Sequence, residues 1–229
     1  MQKSIKYLII LLLLLGINDS YGQRRKKPQN LIRYDFQKLH FGFTLGMNEL
    51  NFNIKKNSNT ITNDTLLSLL SNSQKGFNLG IVSNLRIGKY TDLRFIPTLV
   101  FGERHLHYGF IDSNQVSDEK IKRIESTLID FPVYIKYKSA RYNNFRTYVL
   151  AGVKYSLDIA SQEKIDDEGQ EIVKLKKNDL MGELGFGIDY YFEYFKFSPQ
   201  IKLSYGILNL LSKDETVYTK SINRLSTNG

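Results

Sequence analysis

From Leu128 to Ile159 the chain reads LIDFPVYIKYKSARYNNFRTYVLAGVKYSLDI, and side-chain character alternates with a period of two. Ile129, Phe131, Val133, Ile135 and Tyr137 stand against Asp130, Tyr134 and Lys136. After the polar turn Ser139 to Asn144, Phe145, Val149, Val153, Tyr155, Leu157 and Ile159 stand against Arg146, Tyr148, Lys154 and Asp158. Successive side chains of a strand point to opposite sides, so this period specifies extended chain. Two such runs around a tight polar turn specify an antiparallel hairpin. Strands of soluble sheets have about 5–6 residues, whereas a tilted strand crossing a bilayer needs about 9–11. A charged face cannot meet lipid and must line an interior, which is the pattern of an outer-membrane barrel.

The same pattern recurs along the chain. Phe41, Phe43, Leu45 and Met47 oppose His40, Gly42, Thr44, Gly46 and Asn48. Phe77, Leu79, Ile81, Leu85 and Ile87 oppose Asn78, Gly80, Asn84 and Arg86; Leu93, Phe95, Leu99 and Phe101 oppose Arg94, Thr98 and Gly102. Pro97 lacks a ladder donor and predicts a bulge or a weakly paired position there. Leu180, Leu184, Phe186, Ile188 and Tyr190 oppose Glu183, Gly185, Gly187 and Asp189; Phe195, Phe197, Ile201, Leu203, Tyr205 and Ile207 oppose Lys196, Gln200, Lys202 and Ser204. Long polar segments, 50–75, 107–125 and 160–178, alternate with short turns near Gly88, Ser139 and Glu193. Small barrels have short periplasmic turns and long external loops, so a periplasmic amino terminus and extracellular long loops are expected. Tyr90, Tyr137, Tyr142, Tyr190, Tyr191 and Tyr194 cluster beside the short turns and predict an interfacial girdle. The fold expected over 39–229 is all-β, an antiparallel up-and-down transmembrane barrel of eight strands. Seven are evident; 217–229 shows no alternation, so the eighth is expected to be truncated from this sequence, or the seam closed by a partner's strand.

Residues 1–22 read as a signal peptide: Lys3 and Lys6, the apolar run Tyr7 to Leu15, and small residues Ser20 and Gly22 before the expected cut. Without cysteine the chain has no disulfide, thiol nucleophile or thiolate metal site. Its net charge is +9. A secreted chain meets no nucleic acid in the periplasm, so anionic lipid headgroups or an acidic partner are the expected counter-charges. Residues 23–38 form a basic periplasmic segment opening with Arg24, Arg25, Lys26 and Lys27, a solvated tether.

The residues Tyr34-Asp35, His40-Phe41-Gly42-Phe43, Leu45-Gly46 and Asn48 together resemble the opening of the PorT family, outer-membrane barrels of the Bacteroidetes type IX secretion and gliding machinery. That resemblance implies a non-enzymatic accessory or scaffold component whose partners are outer-membrane lipid and other type IX components. It implies no cofactor and no small-molecule substrate. From the residues alone, the Asp35 and His40 pair is open to a functional role, with a hydrogen-bonded strand entry the plainer reading.

The interior charges are Arg86, Arg94, Asp130, Lys136, Arg146, Lys154, Asp158, Glu183, Asp189, Lys196 and Lys202. Eight strands enclose a space just wide enough for side chains, so these charges are expected to form a salt-bridged plug, centred on Glu183 and Asp130 with Arg146 and Lys136. His105 and His107 with Glu103 share one face at a strand end, a spacing open to zinc or to general-base work on lipid A. No third ligand or serine nucleophile stands beside them, so interfacial histidines are the plainer reading. No phosphate loop or dinucleotide fingerprint occurs. Asp64-Thr65-Leu66 resembles the O-glycosylation acceptor of Bacteroidetes secreted proteins.

Overall fold

A computed structural model describes residues 28–56, 66–111, 117–160, 175–211 and 222–229. The signal-peptide segment, the basic run Arg24 to Lys27 and the Asp64-Thr65 pair lie outside the described residues. A short 3-10 turn, Ile32–Phe36, precedes strands β1 (Leu39–Lys56), β2 (Leu66–Arg86), β3 (Thr91–Phe95), β4 (Thr98–Ile111), β5 (Ser117–Lys138), β6 (Phe145–Asp158), β7 (Asn178–Tyr191), β8 (Lys196–Phe197), β9 (Gln200–Gly206) and β10 (Ile222–Asn228). Two breaks are local. Pro97, which has no ladder N–H, separates β3 from β4, and Pro199 separates β8 from β9. Counting each interrupted pair as one strand, eight strands pair antiparallel with their sequence neighbours, and β10 returns to β1. The architecture is an up-and-down barrel.

The closing strand corrects the sequence reading. Ile222–Asn228, which shows no apolar alternation, inserts between β1 and β9: Asn228 pairs with both Asn51 and Tyr205. Leu225, Ser226 and Thr227 are all buried; Leu225 joins the apolar core inside, and Thr227 accepts from Arg104 at 3.3 Å. β10 reaches only one half of the wall. Below Leu50, β1 is laddered to β2 alone among the described residues, and the facing edge of β9 carries no ladder to it. The side chains there are the barest of the wall, Met47 at 91% and Phe43 at 82% exposed, because no neighbouring strand flanks them on that side.

The segments 50–75 and 107–125, expected as polar loops, are largely strand: β1 runs to Lys56, β2 begins at Leu66, and β4 and β5 extend to Ile111 and from Ser117. The reason is a reversal of side-chain polarity. Along β1, Phe41 to Met47 point outward and apolar, but beyond them Asn53 and Lys55 are the exposed ones while Leu50 and Phe52 are buried. On β4, outward Leu99 and Phe101 give way to Glu103, His105 and His107, with Leu106 and Tyr108 fully buried inside. The switch is level across the sheet, because Met47 pairs with Phe77, Phe77 with Phe101 and Phe101 with Thr127, while Glu49 pairs with Lys75 and Glu103 with Glu125. Two kinds of barrel are therefore stacked end to end. In the short-turn half, apolar groups face out and polar groups in; in the other, Phe52, Leu106, Tyr108, Leu175, Leu210, Leu211 and Leu225 form an apolar core.

The outward apolar belt spans about nine residues of β1, or roughly 25 Å of height at normal tilt, the thickness such a belt needs to cross a bilayer. Tyr90, Tyr137, Tyr142, Tyr190 and Tyr194 are exposed at its short-turn edge, but Tyr191 is 3% exposed and points inward, so it leaves the girdle. Phe186, half exposed on β7, lies in the belt. Phe186→Arg is expected to cost about 2–4 kcal/mol of unfolding free energy in lipid, read by urea titration of the refolded barrel in vesicles. An unchanged midpoint would show that this face does not meet hydrocarbon.

Candidate functional site

Within the belt, the interior is a ladder of buried ion pairs. Glu183 on β7 and Asp130 on β5 share one cation: Lys154 Nζ lies 2.9 Å from Glu183 and 3.2 Å from Asp130. The hydroxyls of Tyr134 and Ser204 donate to Glu183, Ser156 donates to Asp130 at 2.6 Å, and Lys202 reaches the Tyr134 hydroxyl at 3.3 Å. A layer nearer the short turns is built on Asp189, which takes Lys136 at 2.7 Å, Ser198 at 2.7 Å and Lys196 at 3.7 Å. Lys136 also stands 3.6 Å from the centre of the Tyr148 ring, and that ring fits only because residue 187 is glycine: a Cβ there would meet the Tyr148 hydroxyl at 2.4 Å. Beside this layer, Asp92 accepts from Lys138 at 2.6 Å and Asn84 at 2.9 Å, and Arg94 is tied to Asn84 at 3.1 Å. Most of these cations have a carboxylate, ring or hydroxyl partner, as burial in a low-dielectric space demands.

The expected centre of the network is corrected in one respect. Glu183 and Asp130 do meet, but through Lys154; Lys136 belongs to Asp189, and Arg146 turns to the mouth of the barrel. Arg86 also sits at the mouth, its Nε donating to Gly88 O at 3.2 Å and its Nη1 to the Asp35 carbonyl. Asp158, farther up, lies with Arg104 and Asp179 around a small cavity of about 20 Å³, room for one water. Asp92, Lys138, Tyr134 and Tyr148 escaped the sequence reading as network members, although each carries the inward parity of its strand.

The short-turn mouth is closed by the chain's own amino-terminal segment. Asp35 accepts from Arg141 at 2.9 Å, Arg146 at 3.3 Å and the Tyr191 hydroxyl at 3.2 Å. Arg141 lies 3.8 Å over the Tyr191 ring and also donates to Asn30 O. Asn30 N donates to Asn144 at 2.8 Å, and Asn144 Nδ2 donates to Pro28 O at 3.1 Å. Tyr34 stacks 3.9 Å from His40, whose Nε2 bonds the Tyr34 carbonyl at 2.7 Å, and Lys196 sits 4.7 Å from the Tyr34 ring. Burial, with the Asp189 charge nearby, pushes the Tyr34 hydroxyl up to about 12, so it stays a neutral lid over the ion pairs beneath. Tyr34, Asp35 and His40 thus converge here. Phe41, Phe43 and Leu45 face outward, and Gly42, Gly46 and Asn48 carry the inward parity of β1.

A family model described as an outer membrane protein beta-barrel domain matches residues 22–212. The chain belongs to that family. No curated protein and no solved structure matches it. As an outer-membrane β-barrel, the protein carries its pairs of apolar wall and ionic interior through a bilayer. The histidines lie elsewhere on the barrel, on the outward face above the belt: Glu103 and His105 are 2.6 Å apart, and Asn72 reaches His107 at 3.2 Å. No group of three metal-capable side chains gathers among the described residues.

Two measurements follow from this geometry. Asp189→Leu strands the fully buried Lys136 and is expected to cost about 3–5 kcal/mol, whereas adding Lys136→Met restores most of it; chemical unfolding of the three variants reads the difference. Asp35→Ala removes charge-assisted bonds worth about 1.5–3 kcal/mol of docking, so trypsin should cut the folded barrel after Arg33 or Lys38 at least about tenfold faster.

Proposed function

We propose that this outer-membrane barrel is a non-conducting, non-enzymatic scaffold component of the type IX protein secretion and gliding machinery. One observation carries the reading: the interior is filled by paired side chains, and its short-turn mouth is sealed by the Tyr34-Asp35-His40 cluster that resembles the PorT family. A barrel so filled suits anchoring better than transport. In this reading the short turns and amino-terminal segment face the periplasm, the long connections face outside, and other machinery proteins dock on these surfaces. No cofactor and no small-molecule substrate enter.

A second reading rests on the outward Glu103–His105 pair at the upper edge of the belt, where a lipid A headgroup would lie: a lipid A-modifying enzyme. Its want is a nucleophile beside the pair. A passive structural or adhesive barrel is the third.

Deletion in the native host separates the three. Lost cargo secretion with unchanged lipid A, read by mass spectrometry, is the expected result. Altered lipid A in a His105→Ala, His107→Ala variant would favour the enzyme. Normal secretion with unchanged lipid A would leave the passive barrel. Protease shaving of intact cells is expected to cut near Asn57, Asp118 or Asp167 and to spare 139–144; the reverse pattern would invert the orientation.

A further inference from the structure

Charge is unevenly distributed along this chain. The amino-terminal segment 23–38 and the three short turns hold eight basic residues against two acidic ones, Asp35 and Glu193. In sequence, the segments 57–65, 112–116, 161–174 and 212–221 hold nine acidic residues against four basic. Of the cations at the short-turn end, Arg141 is already engaged with Asp35, but Arg33, Lys38 and Lys89 are exposed.

Those three are neighbours. Arg86 N donates to Lys38 O at 2.7 Å, its side chain reaches Gly88 O, next to Lys89, and its Nη1 reaches the Asp35 carbonyl on the turn that carries Arg33. Each also adjoins exposed apolar groups. Lys38 precedes the outward Leu39, Lys89 follows the outward Ile87 and lies 5.2 Å from the exposed Tyr90 ring, and Arg33 sits between Ile32 and Phe36, 56% and 74% exposed. Cations placed one step beyond a wall that meets hydrocarbon, with aromatic rings beside them, occupy the headgroup layer, where long basic side chains reach phosphate while their stems stay in the apolar zone.

We propose that the Arg33–Lys38–Lys89 patch binds anionic phospholipid headgroups of the leaflet at the short-turn end. Tyr90 and Phe36 seat the patch in the interface. The lipid phosphate accepts from the three side chains, and the headgroup's net negative charge distinguishes phosphatidylglycerol from zwitterionic lipid. This rests on the barrel spanning a bilayer and not on which way it faces, so it stands or falls separately from the shaving experiment. An acidic protein is the competing occupant, and it would leave the lipids around the barrel unselected.

The test is electron spin resonance on the full refolded barrel in phosphatidylethanolamine vesicles, with spin-labelled phosphatidylglycerol or spin-labelled phosphatidylethanolamine as probe. Wild type is expected to favour the phosphatidylglycerol probe by about threefold or more, falling toward parity in about 1 M salt. Arg33→Ser, Lys38→Ser and Lys89→Ser together should remove most of that preference. The triple variant Arg33→Lys, Lys38→Arg, Lys89→Arg should keep it, with folding of both confirmed by heat-shifted migration in gels. Equal association of the two probes in wild type overturns the proposal. So does a preference that survives the serine variant and is lost only when Arg24 to Lys27 are also neutralised.

Discussion

Charges turned into the interior of this wall are taken out of water, so each must find a counter-charge or hydrogen-bond partner there. That requirement organises the lower half of this molecule. Lys154 holds Glu183 and Asp130 together, Lys136 holds Asp189, and Lys138 holds Asp92. Each bond joins neighbouring or next-but-one strands, so the network reinforces the ladders from inside. In a bilayer the outward apolar face adds no drive for one strand to meet another, since lipid is as apolar as leucine. Specificity for one closed register therefore falls on the backbone ladder and on these inward pairs.

The reversal of polarity halfway along the strands is the second organising feature. Below it the barrel obeys the rules of a membrane, with apolar groups out and ions in. Above it the barrel obeys those of water, with Phe52, Leu106, Tyr108 and Leu225 inside and charged or polar groups outside. The buried Arg104 marks the frontier, 4.1 Å over the Phe52 ring and bonded to Ser126 at 2.6 Å. One continuous antiparallel sheet serves both solvents because a strand offers two faces, and exchanging their composition costs the backbone nothing. With an ionic plug below, an apolar core above and the Asp35 clamp across the mouth, this interior is built to be solid. The surfaces left to meet partners are the rims.

How much of this was legible in the chain depended on range. Period-two alternation located seven strands, their lipid-facing residues, the inward charges and the order of long and short connections. The same criterion failed where the environment changed. It read 50–75 and 107–125 as loops because apolar residues stopped pointing outward, although the strands continued in water. It passed over Ile222–Asn228 because this seven-residue strand lies wholly in the half with the apolar core, where Leu225 is its one large apolar residue facing in. It placed Tyr191 in the girdle by its position beside a turn, whereas its ring packs under Arg141 at the mouth.

Along the seven strands it located, sequence alone determined which side of the wall most residues face, because side-chain direction in a strand is a local consequence of backbone geometry. It could not determine partners. Asp35 and Arg141 are 106 residues apart, and Lys136 and Asp189 are 53 apart. Whether such residues arrive at the same height depends on strand tilt, stagger and register shifts such as that between Ser73 and Phe77, which add up around the ring. Only the closed barrel sets those sums, and with them which charge answers which.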